Sequence, residues 1–405
     1  MLRKKSLMWF GLILLLLAVC LAPFGGATAA SAPKEIVIGA INSLTGMNAM
    51  TGAEQKWAYE QSVADINEKG GVFVKEYNKK LPVKLIFADD KSMDDGGSAA
   101  MERLIKMDKI DLALSSNVTR INLGAAVVCE KCKVYFGIVS SWLDLVEKQH
   151  FKWTSDMFTS AFEAGHAPFL VWEGMPKEQR PKKPALMVTD NQDGQGLGDG
   201  IRGFAKQYGY TFAVDEPYPQ GTKDFSSYIL KWKASGVDAL LWLGSPTDGI
   251  TLLRQMKEQN VRFPYTHGWR GLWPTEFIKA MGKDADYVIH DGFWAETLPF
   301  PGAKELGERF RKQFGRDSVS IGLSYANPQI LAMAIERAGS LESAKVRDAI
   351  FGGEFKGTMM GDVKYNAQGL CYKPLLGLQW WNGQRMPVFP SMPKIWTIKM
   401  APTSW

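Results

Sequence analysis

The chain has 405 residues, 46% of them hydrophobic, and 48 lysines and arginines set against 42 aspartates and glutamates give a formal charge of +6. That length exceeds one ordinary core and points to two domains. No basic block lies beyond the first few residues, so nothing would track a phosphate backbone, which argues against a nucleic-acid partner.

The N-terminus reads MLRKKSLMWFGLILLLLAVCLAPFGGATAASA. Arg3, Lys4 and Lys5 precede an apolar stretch, and Ala27-Thr28-Ala29 fits a small-x-small cleavage site. Residues 1–29 therefore read as a signal peptide, which places the mature chain in the periplasm or another extracytoplasmic space. Lipid attachment at Cys20 is disfavoured by Val19, which is bulky where a small residue is wanted. No later run approaches the roughly 18 apolar residues of a membrane span.

Short apolar runs then alternate with helix-length segments. Strands are expected at 36–39, 83–87, 112–114, 134–136, 185–188, 239–243 and 287–289. Helices are expected at 54–68, 98–106, 197–208, 224–234 and 249–259, then at 303–314, 323–338 and 343–351, before turn-rich strands. The alternation implies α/β architecture with parallel sheets built from right-handed βαβ units. The rhythm pauses at a linker-like stretch, 152–155, and changes after Trp294, where Pro299 and Pro301 bracket a crossing. Two such halves make two doubly wound lobes with a cleft between them. Ligands collect at the carboxyl ends of such strands.

Two local features leave alternatives open. Ser115-Ser116-Asn117 follows the 112–114 strand and precedes a helical stretch. Such a junction suits a small anion, because free backbone N–H groups meet side-chain donors there. The same residue types are also ordinary helix caps. Cys129 and Cys132 lie where a helix ends, the opposite end from a redox C-x-x-C pair. A local disulfide is expected in an oxidising compartment, with Cys371 a lone, partly buried thiol.

Three stretches carry a family resemblance. They are Ile38–Gly46 with the later Ala64-Asp65-Ile66-Asn67-Glu68-Lys69-Gly70-Gly71, then Asp89-Asp90-Lys91-Ser92, and Thr189–Gly196 followed by Lys223-Asp224-Phe225. In order and spacing they resemble the branched-chain amino-acid type of periplasmic solute-binding protein of ABC importers. The resemblance implies the type I periplasmic-binding fold with three hinge crossings. The lobes would then be 34–153 plus 296–355, and 154–295 plus 356–405. It implies no cofactor, no catalysis, a membrane permease as partner, and a monomer that closes on a small solute. Asp89-Asp90 reads as a structural turn.

Carried over residue by residue, the resemblance assigns a ligand carboxylate to Ser115, Ser116 and Asn117 and to Ser140 and Ser141. Thr159 either adds a contact or, with Ser160, caps the next helix. The sequence also departs from the pattern. Near Trp269, where the family places an acidic partner for the ligand ammonium, Trp269-Arg270 stands instead. A buried ammonium without that partner is costly. Asp248 is the candidate substitute, or else the cap of its helix. Gln192 or Asp193 replaces a tyrosine of the glycine-rich turn. Trp142, Trp269 and Trp273 offer aromatic faces, or simply core packing, and Arg270 offers a carboxylate clamp. The expected ligand is an organic or aromatic acid. The alternatives are a branched-chain or other amino-acid or amide receptor, and a sensing module for a chemoreceptor or kinase. The Gly194–Gly200 run lacks the third glycine of a dinucleotide site, and the four histidines are scattered, so an enzyme is not supported.

Overall fold

The computed structural model describes residues 32–46, 48–389 and 396–405; the expected leader lies outside them, as do the side chains of Gln192 and Asp193. The first part of the chain forms β1 (Ile36–Asn42), α1 (Ala49–Glu68), a ribbon of β2 (Val72–Val74) and β3 (Lys79–Leu81), β4 (Val83–Asp89) and α2 (Gly96–Lys106). It continues through β5 (Leu112–Leu114), α3 (Thr119–Cys132), β6 (Phe136–Ile138), α4 (Leu143–Glu147) and β7 (Thr154–Phe158). Next come α5 (Ala161–Ala164), α6 (Ala167–Glu173), β8 (Pro184–Thr189), α7 (Gln192–Tyr208), β9 (Val214–Tyr218) and α8 (Ser226–Ser235). They are followed by β10 (Ala239–Leu243), α9 (Pro246–Glu258), β11 (Tyr265–Gly268), α10 (Thr275–Met281) and β12 (Ile289–Gly292). The last part holds α11 (Ala303–Phe314), α12 (Ile321–Ala338), α13 (Ser343–Ile350), β13 (Glu354–Thr358), β14 (Gly361–Lys364), β15 (Leu370–Tyr372), β16 (Leu376–Trp381) and β17 (Gln384–Phe389).

These elements build two main sheets within one unit, Glu35–Trp405. The first sheet is wholly parallel, in the order β15-β7-β6-β5-β1-β4. The second runs β17-β16-β12-β11-β10-β8-β9, parallel from β9 to β12, with β16 and β17 each antiparallel to its neighbour. Helices α1, α11, α12 and α13 cover one face of the first sheet, and α2 and α3 the other. The second sheet has α6 and α7 on one face and α8, α9 and α10 on the other. Burial on both faces explains why Ala239-Leu240-Leu241-Trp242-Leu243 is apolar throughout and wholly buried.

The chain passes between the sheets after Phe158, after Gly292 and after Tyr372. Two of the expected lobe divisions, at 153/154 and 355/356, therefore fall inside the first sheet's territory. The stretch 152–155 reads as linker-like in the sequence, yet its Thr154-Ser155 opens the buried strand β7. The strand tolerates Ser155 because its hydroxyl meets Tyr135 Oη at 2.5 Å. It tolerates Asp156 as a carboxyl whose proton affinity burial pushes well up. The later division fails because β15 pairs with β7, Leu370 opposite Asp156.

Two strands start later than expected. Lys133 is left-handed, with φ 55°, and Val134 N still bonds Cys129 O at 3.1 Å, so β6 begins at Phe136. Tyr287, with φ 76°, delays β12 to Ile289. The expected disulfide is absent: Cys129, Cys132 and Cys371 are all free thiols. Both partners lie in the last turn of α3, where Cys129 packs into the core and Cys132 faces solvent.

The Asn67–Gly71 motif closes α1. Asn67 donates its amide to Val83 O at 2.8 Å and accepts from Val83 N at 2.8 Å, which pins the helix end to β4. Gly71 has φ 88°, and a Cβ there would lie 2.2 Å from Leu81 O. Strained backbone plus a clash against main chain makes Gly71→Ala cost about 1–3 kcal/mol. The melting temperature should fall by about 1–4 °C. An unchanged melting curve would show that this turn relaxes freely.

Candidate ligand-binding site

In the first sheet, strand order reverses at β1, which lies between β4 and β5. A crevice at the carboxyl ends of these strands follows from that reversal. Ser43 stands after β1, Asp90 after β4 and Ser115-Ser116-Asn117 after β5. Asp90 gathers the three strand ends and is fully buried. Its carboxylate accepts from Ser43 Oγ at 2.7 Å, from Ser92 N at 2.8 Å and from the Ser116 hydroxyl. Asp89 accepts from Leu44 N at 3.0 Å, Thr45 N at 3.2 Å, Lys91 N at 2.8 Å and Thr45 Oγ1 at 2.7 Å. Burial opposes its charge, but the hydrogen bonds from Thr45, Lys91 and Leu44 outweigh it and hold the carboxyl below its usual range.

Ser115 and Ser116 are also buried, and their polar atoms serve the scaffold. Tyr59 Oη donates to Ser115 O at 3.0 Å, and burial raises its phenol to about 12. Asn122 links the next junction. Its Oδ1 accepts from Ser116 N at 2.9 Å, and its Nδ2 donates to Ser116 O and Ser141 Oγ, each at 3.0 Å. Asn117 and Ser140 are only partly covered, and Asn117 donates its amide to Thr51 Oγ1. Val118, the N-cap of α3, is extended, and no side chain caps the helix.

The second sheet reverses at β8, between β9 and β10. Gln192 opens α7 beside that point, its side chain lying outside the described residues. Asp248 lies in the first turn of α9 and is 1% exposed. Its Oδ2 accepts from Tyr218 Oη and Gly221 N, both at 3.1 Å. Trp269 follows β11 and is 2% exposed; its indole N–H donates to Ala164 O at 3.2 Å. Its ring stacks on His267 at 5.0 Å. Arg270 is exposed, and its charge acts on Asp291 at the end of β12.

At the first crossing Ser160 caps α5 through Glu163 N at 2.9 Å. Thr159 is buried, and its hydroxyl makes no hydrogen bond. An aromatic run follows the crossings. Trp142 lies 5.5 Å from Phe158, Phe158 lies 4.6 Å from Phe293, and Phe293 lies 5.7 Å from Trp273. The candidate residues thus sit at the carboxyl ends of strands, in the turns that follow them or, for Gln192 and Asp248, in the first turn of the next helix. Sequence reasoning missed Asp90, Asn122, Phe158, Phe293 and Asp291. Asp90 carried a signal, an acid immediately after a strand; Phe158 and Phe293 carried none, since apolar residues at strand ends are common.

One parallel sheet and one largely parallel sheet, joined by three crossings, make a two-lobed α/β fold. The chain belongs to the periplasmic binding protein family, whose family model matches residues 35–370. It is a solute-binding receptor, not an enzyme. A relative is the Leu/Ile/Val-binding protein homolog 3 of Brucella melitensis, 26% identical over 89% of this chain and 95% of its own. Among solved structures, the branched-chain amino acid transporter substrate-binding protein of Streptococcus pneumoniae in complex with isoleucine superposes with TM-score 0.73. It is 18% identical over 87% of this chain and 98% of its own. A solute-binding protein of Rhodopseudomonas palustris in complex with 3,4-dihydroxybenzoic acid gives TM-score 0.69 at 16% identity, covering 87% and 95%. Among the described residues no helix is long and apolar enough to cross a membrane.

Proposed function

We propose that the chain captures a small aromatic or other organic acid between its two lobes and presents it to the permease of an ABC importer. The observation that carries this reading is the aromatic run Trp142–Phe158–Phe293–Trp273 along the crossings. Flat rings there suit an apolar ligand body. The uncapped start of α3, beside Asn117, suits its carboxylate. Asp248, the candidate counter-charge for an ammonium, already serves Tyr218 and Gly221. The residues carried forward as ligand contacts are Asn117, Ser140, Trp142, Thr159 and Arg270. Ser115, Ser116 and Ser141 act behind them by fixing the loops, and Asp248 and Trp269 by packing. Binding then favours the closed arrangement of the lobes, because only that form contacts the ligand on both sides.

The second reading is an amino-acid receptor. It is favoured by the buried carboxyl of Asp291 on the second lobe and by what the relatives are named for. A thermal-shift panel separates the two, comparing leucine, isoleucine and phenylalanine with benzoate, hydroxybenzoates, phenylacetate and aliphatic acids. A ligand at about 1,000 times its Kd stabilises by ~4 kcal/mol. The expected result is a shift with aromatic acids. A shift with leucine or isoleucine alone would replace this reading with the amino-acid one.

A further inference from the structure

Among the buried side-chain atoms without a hydrogen-bond partner in the described residues of the second lobe, two come from neighbouring strands on one face of its sheet. His267 pairs with Ile289, and Gly268 with His290. Continuing that register brings Asp291 level with Trp269. Side chains alternate along a strand, so His267, Trp269, Ile289 and Asp291 share a face. Tyr265, Trp269 and Ile289 lie in one core cluster on that face, with Trp142 and Phe293 packed against it. His267 Nε2 and Asp291 Oδ1 are buried and unpartnered there. Such groups are rare in native proteins and call for an occupant.

The chemistry of the two atoms is complementary. Tyr265 Oη and His267 Nδ1 are 2.8 Å apart. Burial keeps the phenol protonated and the imidazole neutral; we assign the phenol as the donor to Nδ1, which places the imidazole proton on Nε2. Nε2–H is then an unused donor, and Asp291 Oδ1 belongs to a carboxyl that burial pushes toward its neutral form. A hydroxyl group, which both donates and accepts, meets the two atoms whether Oδ1 is the carbonyl or the O–H oxygen.

We propose that His267 and Asp291 form a hydroxyl-recognising subsite on the second lobe, so that the favoured ligands are hydroxylated aromatic acids. This rests on the aromatic-acid reading above and names its substrate class. Trp269, stacked on His267 and level with Asp291, sets the wall of the subsite.

The test compares Kd values by calorimetry for benzoate, 3-hydroxybenzoate and 4-hydroxybenzoate, with the mature protein and with Asp291→Leu and Asp291→Asn. At least one hydroxylated acid should bind about tenfold or more tighter than benzoate. Asp291→Leu should bring that ratio to about one, and Asp291→Asn, which keeps a carbonyl acceptor, should recover part of it. A ratio of about one in the unaltered protein would overturn the subsite and leave the aromatic-acid reading standing. So would a ratio unchanged in Asp291→Leu, the result expected if the two atoms only hold a structural water. If none of the three acids binds, the aromatic-acid reading falls and this inference with it.

Discussion

Replacing Asp90 by alanine is expected to lower stability by about 3 kcal/mol or more and to abolish solute binding, because three buried or half-buried donors lose one acceptor. Ser43 and Ser116 are fully buried, and both aim their hydroxyls at this carboxylate. Ser92 N, at 2.8 Å, fixes the turn that brings α2 back onto the sheet. Water cannot replace these bonds without opening the junction of β1, β4 and β5. Ser116 would then turn, and the start of α3 beside it would lose its placement. Asp90→Asn keeps one carbonyl acceptor and should lose about half as much stability. Urea unfolding midpoints for both variants, with ligand titration of each, would measure this. If Asp90→Ala unfolds at the urea concentration of the unaltered protein, the carboxylate is not what holds the junction. The same geometry revises the expectation for Ser116→Ala. Its hydroxyl is committed to Asp90, so the variant should act on the loop's stability before it acts on the ligand.

How much was legible in advance follows from which interactions are local. The strands at 36–39, 83–87 and 239–243 announced themselves because parallel strands are apolar on both faces. The Asn67–Gly71 turn was legible because its glycines mark left-handed backbone, with φ 89° at Gly70 and 88° at Gly71. The strand β7 was not legible, since its polar residues find their conditions only in the fold: Ser155 on Tyr135, Asp156 in a site that favours its neutral form. The C-x-x-C spacing suggested a disulfide, whereas α3 runs through Cys132 and directs the two thiols to different surroundings. In the site, residue types at strand ends pointed to the carboxyl edge of the sheets. They could not say which hydroxyls are committed to Asp90, because that depends on a partner 26 residues away. The tryptophans show the same limit. Trp142 and Trp273 join the aromatic run, whereas Trp269, equally prominent in the sequence, turns its N–H onto Ala164.

The second large effect concerns acid stability. His267 is fully buried, and loss of solvent lowers its imidazole from 6.5 to about 3. Tyr265 bonds its Nδ1 and Trp269 stacks on its ring, while His290 and Asp291 come from β12. The unfolded imidazole takes a proton below about 6.5 and the folded one does not until about 3. Between those values the unfolded chain binds one more proton, so stability is whole above the upper value and is lost as pH falls through the window. Each such group contributes a slope of about 1.4 kcal/mol per pH unit. His290 acts in the same direction, lowered by burial and by the charge of Arg385. Asp156 and Asp291 act oppositely: burial raises them, so their contribution is present at low pH and is lost as pH rises above 3.8. The wild-type profile is the balance of these terms, which makes a difference measurement the informative one. His267→Gln removes one imidazole and keeps an amide that can accept from Tyr265. From pH 6.5 down to 4.5, the variant should lose about 2–3 kcal/mol less stability than the wild type. Urea unfolding at pH 4.5, 5.5 and 6.5 gives both curves, and parallel curves would mean that the folded protein protonates His267 at its ordinary pH, and so that solvent reaches the face on which the hydroxyl subsite is built.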